Sequence, residues 1–384
     1  MSTLTPNAQR LLRELIVHGP GYRADLARSL DVSRATVTNL VNRLSADGWV
    51  EEVDAEPGVL KNLLGTTPQL GVLASLMFLV DTCSVTIATL DGRVLKELTV
   101  SGQVATVAAE RIAAGADLVE RLVGEVGLHP DAVLALHLAV DTQMDSRSGD
   151  VYAQRASSRW YGVNPKAYLS ERFGVPVYTQ NTARLEGLAE YLWGRGHGHD
   201  NVLYVDVSYG VTSGHVLDGI LQSGARGGSG ELGHTVYDWN GPLCTCGNAG
   251  CLMQYVSIPA MLRDDATAAG APSSWQEFCD RVRSAEASAV GIVDRAAEVL
   301  GRMLVNTCHV IDPALVVLSG EVPRALPGFV DAVAVTVRDR ALPLVGRHVQ
   351  IVAAELDDMY ASTARAGIES LRAVDDVVAA ATAL

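Results

Sequence analysis

The sequence predicts an α/β chain with a helical front end, and three observations support it. Residues 5–47 carry apolar side chains at helical spacing in three short runs. From Val72 the period becomes strand-like, with three strands in succession, then a helix and a further strand. A comparable set begins near Asn201 and leads into a long helix over 286–311, a strand over 314–318 and a closing helix over 360–373. A chain of 384 residues exceeds one hydrophobic core, so two or three compact units are expected. With 48% hydrophobic and 19% charged residues the composition excludes a disordered chain.

The net charge of −14 excludes a surface coated in basic patches, so any nucleic-acid contact must be local. Residues 1–7 are polar with a proline and do not read as a signal peptide. The apolar stretches are broken by charges before they reach membrane-spanning length. A cytoplasmic protein with reduced thiols and no membrane partner is the expectation.

In order along the chain, Leu11, Leu12, Leu15 and Ile16 form a helical stripe closed by Gly19-Pro20. Leu26, Ala27 and Leu30 face inward on a second helix. Asp31-Val32 turns the chain and Ser33 caps a third helix that reaches Asp47, with Gly48 as its stop. Val37, Leu40, Val41 and Leu44 supply its core face. Ser33, Arg34, Thr36, Asn39, Asn42 and Arg43 remain outward, a mixture suited to base edges and phosphates. Residues 26–38, Leu-Ala-Arg-Ser-Leu-Asp-Val-Ser-Arg-Ala-Thr-Val-Thr, give a dense helix-turn-helix pattern. The alternative is a three-helix packing module whose outer face meets only water. Wing strands are expected over 49–53 and around 60–64, completing a winged helix-turn-helix over residues 1–70 that binds double-stranded DNA. The wing tip carries Asp54 and Glu56 with only Lys61 as a nearby cation, which throws affinity onto the third helix and onto dimerisation.

In the body, strands are expected over 73–80, 85–90 and 94–100, with Asp91-Gly92 as a hairpin turn, then a helix over 104–124 and a strand over 132–140. The second set places strands over 202–207, 211–217 and 220–222. Within it, residues 230–257 bring His234, Cys244, Cys246 and Cys251 together, with Gly247 and Gly250 allowing a tight return. Three thiolates and one imidazole complete a closed tetrahedral Zn2+ site, a structural clip without an open position. The alternative is buried or disulfide-bonded cysteines beside an unrelated histidine. Cys83, Cys279 and Cys308 are scattered singly in apolar runs.

Glu231-x-Gly-His234, nine residues, then Cys-x-Cys-Gly-x-x-Gly-Cys resembles the signature of the ROK family of repressors, open reading frames and sugar kinases. Residues 306–320 and 207–219 are similar to two further family stretches. The resemblance implies a two-lobed actin-like, ribonuclease H-like sugar kinase fold over 71–384. Lobe 1 would cover about 71–200 plus 360–384 and lobe 2 about 201–359, with sugar and nucleotide in the cleft. Family kinases use the Asp of an Asn-Asp-Ala motif as base, and the matching segment here is Gln180-Asn181-Thr182-Ala183. Their first phosphate loop resembles Asp-x-Gly-Gly-Thr, where this chain has Asp81-Thr82-Cys83-Ser84-Val85. In the second hairpin Ser208, Thr212 and Ser213 replace glycines, and Ser319-Gly320-Glu321 departs from a glycine-rich turn.

The chain therefore reads as a catalytically inactive body, with Asn181, Glu231 and His234 as the effector contacts the resemblance implies. Thr182, Met253 and Ala156 stand where the family keeps polar sugar ligands. Arg155, Arg159 and Trp160 sit on the loop that follows 145–150, as solvated charge or as a clamp for a planar or anionic ligand. The function expected is a DNA-binding transcription regulator, a repressor, acting as a homodimer or dimer of dimers and answering a sugar or sugar-derived effector. Two alternatives stand beside it: a sugar kinase with residual activity and a DNA-binding head, and a ligand-independent DNA-binding or partner-docking protein.

Overall fold

A computed structural model describes residues 4–54, 62–79, 81–102, 107–152, 159–269, 273–356 and 358–382. These residues fall into two compact units, 1–182 with 360–384, and 183–359.

The first unit opens with α1 (Pro6–His18), α2 (Arg23–Ser29) and α3 (Arg34–Ala46), followed by the antiparallel pair β1 (Val50–Val53) and β2 (Leu63–Thr66). Thr5 caps α1, Pro6 presets its first turn, and Gly19 ends it at φ 85°, where a side chain would be strained. Leu11, Leu12, Leu15 and Ile16 are fully buried. Ser33 caps α3 by accepting the Thr36 N–H at 3.1 Å. Leu40 is only half-buried, and β2 begins later than the expected strand because pairing Val50 with Thr66 fixes the register. Wing-tip residues 55–61, with Glu56 and Lys61, lie outside the described residues.

The sheet that follows has the order β5-β4-β3-β6-β7, from β3 (Val72–Phe78), β4 (Thr82–Thr89), β5 (Val94–Ser101), β6 (Val133–Val140) and β7 (Val177–Asn181). β3–β4 and β4–β5 pair antiparallel, while β3–β6 and β6–β7 pair parallel. Between β5 and β6 runs α4 (Ala108–Glu125), and α5 (Pro165–Phe173) precedes β7. Alternation along β3 divides the core. Val72, Ala74 and Leu76 pack with Ile112, Ala116 and Val119 of α4, while Leu73 joins the core beneath the C-terminal helices.

The second unit is built from α6 (Thr182–Trp193), whose first residue belongs to the first unit, then β8 (Asn201–Val207), β9 (Val211–Leu217), β10 (Ile220–Leu221), α7 (Met253–Val256), α8 (Ile258–Ala269), α9 (Trp275–Arg283), α10 (Ala287–Ile311), β11 (Leu315–Ser319), α11 (Glu321–Ala325), α12 (Gly328–Arg340), α13 (Pro343–His348) and β12 (Gln350–Ala353). Its sheet, β10-β9-β8-β11-β12, repeats the pairing pattern of the first, two antiparallel pairs followed by two parallel ones. α10 and α12 cover it closely: a Cβ on Gly301 would stand 2.5 Å from Thr336 Cβ.

The chain then returns to the first unit with α14 (Met359–Arg372) and α15 (Asp375–Thr382), the latter beyond the closing helix expected from sequence. Ile368, Leu371, Val377, Val378 and Ala381 share one core with Leu11, Leu15 and Ile16 of α1 and with Leu73 and Ala88 of the sheet. The front end is thus packed into the first unit rather than tethered to it.

Candidate functional site

Three groups of residues carry chemistry. The first is the outer face of α3. Ser33, Arg34, Asn39, Asn42 and Arg43 are exposed and Thr36 is half-buried. Ser33 is occupied as the cap, its hydroxyl 2.8 Å from Thr36 Oγ1, and Thr38 Oγ1 donates back to Arg34 O at 2.9 Å. Two guanidinium and two amide side chains are therefore exposed on one side of the helix, residue types able to pair with guanine and adenine edges. Glu52 of the wing accepts from Asn62 at 2.9 Å and then from Arg23 at 2.7 Å, which together lower its pKa.

The second group is the loop between β10 and α7. Leu232–His234 form one 3₁₀ turn against β9, so closely that a Cβ on Gly233 would lie 2.2 Å from Val211 O. Gly250, at φ 70°, returns the chain with no room for a side chain, since its Cβ would meet Asp238 O at 1.5 Å. Backbone bonds from Gly250 N to Pro242 O (2.8 Å) and from Leu252 N to Thr235 O (2.8 Å) fix the two ends. This folding puts His234 Nδ1 3.7 Å from Cys244 Sγ and Cys246 Sγ 3.6 Å from Cys251 Sγ, with all four ligand atoms within 4.8 Å. Ligands about 2.0–2.3 Å from a shared tetrahedral centre stand roughly 3.3–3.8 Å apart, so the set fits a Cys3His metal site. The cysteines are free thiols, which removes the disulfide alternative. Burial pushes the Cys244 thiol up, but the Cys246 N–H, the neighbouring thiols and His234 outweigh it and bring it down to about 6. Burial, then the adjacent thiols, push Cys251 up to about 12.

The third group lies where the resemblance places ligand contacts. Asn181 ends β7 in the first unit and is half-buried, while Glu231 and His234 belong to the second unit. Glu231 precedes the 3₁₀ turn. Its loop is clamped by Arg184, whose guanidinium donates to Gly227 O at 2.6 Å and to Ser229 O, and by Ser213 N, which donates to Gly230 O at 2.8 Å. Burial lowers the Arg184 pKa and the Glu231 charge opposes it. Thr182 is 2% exposed with its hydroxyl donating to Phe78 O at 3.4 Å. At the second hairpin Ser208 Oγ accepts the Glu321 N–H at 3.0 Å and donates to Asp206 Oδ2 at 3.3 Å. The Glu321 amide is thus engaged by a hydroxyl that also bonds the Asp206 carboxylate. Met253 begins α7 and is half-buried, while Ala156 and Arg155 lie outside the described residues.

Trp160 departs from the expected loop surface: it is 1% exposed, edge-on to Phe78 at 5.1 Å, with its indole N–H donating to Asp141 Oδ1 at 2.9 Å. Arg111 and Asp141 were not singled out from the sequence. The available signal was a lone guanidinium on the apolar stripe of α4, between Ala108, Ile112 and Gly115.

A winged helix-turn-helix joined by a shared core to an actin-like α/β body with a Cys3His loop defines the class. The chain belongs to the ROK family, whose profile matches residues 80–365, and a MarR family profile matches residues 2–58. It is 24% identical to the xylose repressor of Bacillus spizizenii over 355 residues, covering 91% of each chain. It is also 28% identical to the glucokinase of Thermotoga maritima, over 64% of this chain and 80% of that one. The fold matches the crystal structure of a ROK family transcriptional regulator, a homologue of the E. coli MLC protein, with TM-score 0.75 and 22% identity over 98% of both chains. Relatives thus include both repressors and kinases. Among the described residues no helix is long and apolar enough to cross a membrane.

Proposed function

We propose that the protein is a cytoplasmic ROK transcription repressor that binds double-stranded DNA as a homodimer and carries no phosphotransfer activity. Residues 1–70 form its DNA-binding head and 71–384 its effector-binding body. The observation that carries this reading is the solvent-facing side of α3, with Ser33, Arg34, Thr36, Asn39, Asn42 and Arg43 presented by a head whose core is continuous with the sheet and the C-terminal helices. A symmetric dimer would set two such helices into successive major grooves. The similarity to xylose repressors supports this assignment.

The absence of phosphotransfer rests on three features. Thr182 is buried against Phe78 O, and a hydroxyl is a very poor base near neutral pH. Ser208 occupies the Glu321 N–H. Asp206 and Glu321 add negative charge where a phosphate would need donors. His234, Cys244, Cys246 and Cys251 hold a structural Zn2+, which supplies a rigid closure for the loop that carries Glu231. Effector contacts are Asn181, Glu231 and His234, the last through the metal site.

The test is selection of duplex DNA by the zinc-loaded protein, followed by fluorescence anisotropy. Arg34→Ala should weaken the selected site by about 1–3 kcal/mol and leave random DNA less affected. Equal loss on both would mark Arg34 as a phosphate contact, and failure to select any duplex at low salt would end the proposal. A coupled ATP assay over a sugar panel should show no turnover.

A further inference from the structure

Where a family kinase keeps its carboxylate, this chain has the buried hydroxyl of Thr182, yet a carboxylate stands one strand away. β6 and β7 are parallel neighbours, and Val140 pairs with Asn181. Asp141 and Thr182 are therefore the next residues off the ends of adjacent strands, at the same edge of the sheet. Neighbouring strands run about 4.8 Å apart, within side-chain reach of one small ligand.

Asp141 is half-buried and fixed from behind. Trp160 Nε1 donates to its Oδ1 at 2.9 Å. The Arg111 guanidinium, fully buried, lies 5.0 Å from the Phe78 ring and 5.3 Å from the Trp160 ring. Burial lowers the Arg111 pKa, and the charge of Asp141 is the largest influence opposing it. A guanidinium on an apolar helix stripe needs a countercharge. A carboxylate, however, has about four lone-pair directions, and the indole N–H uses one of them. Among the described residues the Trp160 indole N–H is the one hydrogen-bond donor seen on Asp141, which leaves acceptor capacity for a ligand.

We infer that Asp141 replaces the acid missing at Thr182 as the acceptor for a ligand hydroxyl, so that this strand-end site takes a neutral polyhydroxylated ligand, an aldose, and binds it without transferring phosphate. Phosphate transfer stays excluded on the features already given, the buried Thr182 hydroxyl and the engaged Glu321 N–H. Arg111 and Trp160 are positioning residues that hold Asp141 in place. The inference rests on the effector-binding reading of the body.

The experiment is calorimetric titration of the full-length, zinc-loaded protein with D-glucose and D-xylose, with melting curves run in parallel. The wild type should bind one of the two in the millimolar range or tighter. Asp141→Asn keeps an oxygen for the indole N–H and should weaken that Kd by roughly tenfold or more, while Thr182→Ala changes it less than about twofold. Unchanged Kd in Asp141→Asn, with or without a lowered Tm, would show a countercharge for Arg111 only and would sink this inference while leaving the effector reading intact. If the wild type binds neither sugar yet still binds its selected DNA, both the inference and the effector reading fall and the DNA-binding assignment stands. Should Asp141→Asn not fold, a sugar-soaked wild-type crystal decides: a ligand hydroxyl within about 3.2 Å of the Asp141 carboxylate supports the inference, and a bound sugar elsewhere overturns it.

Discussion

Cys246 shows how much one side chain can carry. It is the only half-buried thiol of its cluster, with Cys244 and Cys251 buried, and it closes the pair with Cys251 at 3.6 Å. Serine in its place keeps the size but loses the soft thiolate that a zinc ion prefers. Cys246→Ser should lose most of its bound zinc by elemental analysis and lower the melting temperature, because binding free energy at a structural site is folding free energy. Full zinc content in the purified variant would remove Cys246 from the ligand set. The same loop tolerates no Cβ at Gly250, so backbone packing constrains its path independently of any metal.

Among the elements, α14 and α15 decide how the head is held. Arg372, with its side chain 8% exposed, donates from Nε to Ile16 O at 2.8 Å and from Nη2 to Val17 O at 3.3 Å, while pairing with Glu369. These carbonyls belong to the last turn of α1, which has no intrahelical donors left for them and carries the negative end of the helix dipole. Arg13 and Asp375 add a bond at 2.7 Å, but both are largely exposed and contribute little. On the other side, the Asp91 carboxylate accepts the Thr66 N–H at 2.7 Å and Arg93 Nε at 3.3 Å, while Arg93 reaches Glu51 at 2.9 Å. The wing is thereby tied to the β4–β5 turn, and Gly65 is required because a Cβ there would stand 2.5 Å from Asp91 Oδ2. Arg372→Met keeps the aliphatic volume and removes the donors. It should cost about 1.5–3 kcal/mol, read as a Tm several degrees lower. It should also weaken selected DNA more than Arg13→Ala does, and equal effects of the two would show that the buried guanidinium does not orient the head.

For the whole molecule, pH acts on the two units with opposite sign. Burial depresses the imidazole of His137, on β6 of the first unit, from its ordinary value to about 4. Between roughly 6.5 and 4 the unfolded chain binds a proton that the folded one refuses, so stability is lost as pH falls through that window, by up to about 3 kcal/mol. Glu186, on α6 of the second unit, is pushed up to about 8 by burial and then by the Asp206 charge, while the Tyr204 hydroxyl donates to it at 2.9 Å. The folded state here keeps a proton that the unfolded chain releases above about 4.5, so stability falls as pH rises from there towards 8. His137→Leu should flatten the acid limb of a Tm-against-pH profile, and Glu186→Gln the alkaline limb. A profile whose limbs are unmoved by either substitution would show that other groups set it. On the proposed DNA-binding reading, the fall of affinity with salt counts the phosphates neutralised by the head, while the net charge of −14 opposes association at low salt.

What the sequence alone determined were features set by local rules. Ser33 before an apolar stripe, Asp91-Gly92 between alternating runs, and the Cys3His spacing each act over a few residues, so caps, turns and the clustering of those four side chains could be read directly. α15 escaped that reading, and so did the burial of Trp160 and the roles of Arg111 and Asp141. These depend on partners such as α1, Phe78 and the end of β6, brought close by sheet register and not by sequence distance. Whether a guanidinium or carboxylate is solvated or enclosed is a matter of desolvation, which exists only once the strands have paired and the helices have covered them. The tertiary structure decided which charges those would be.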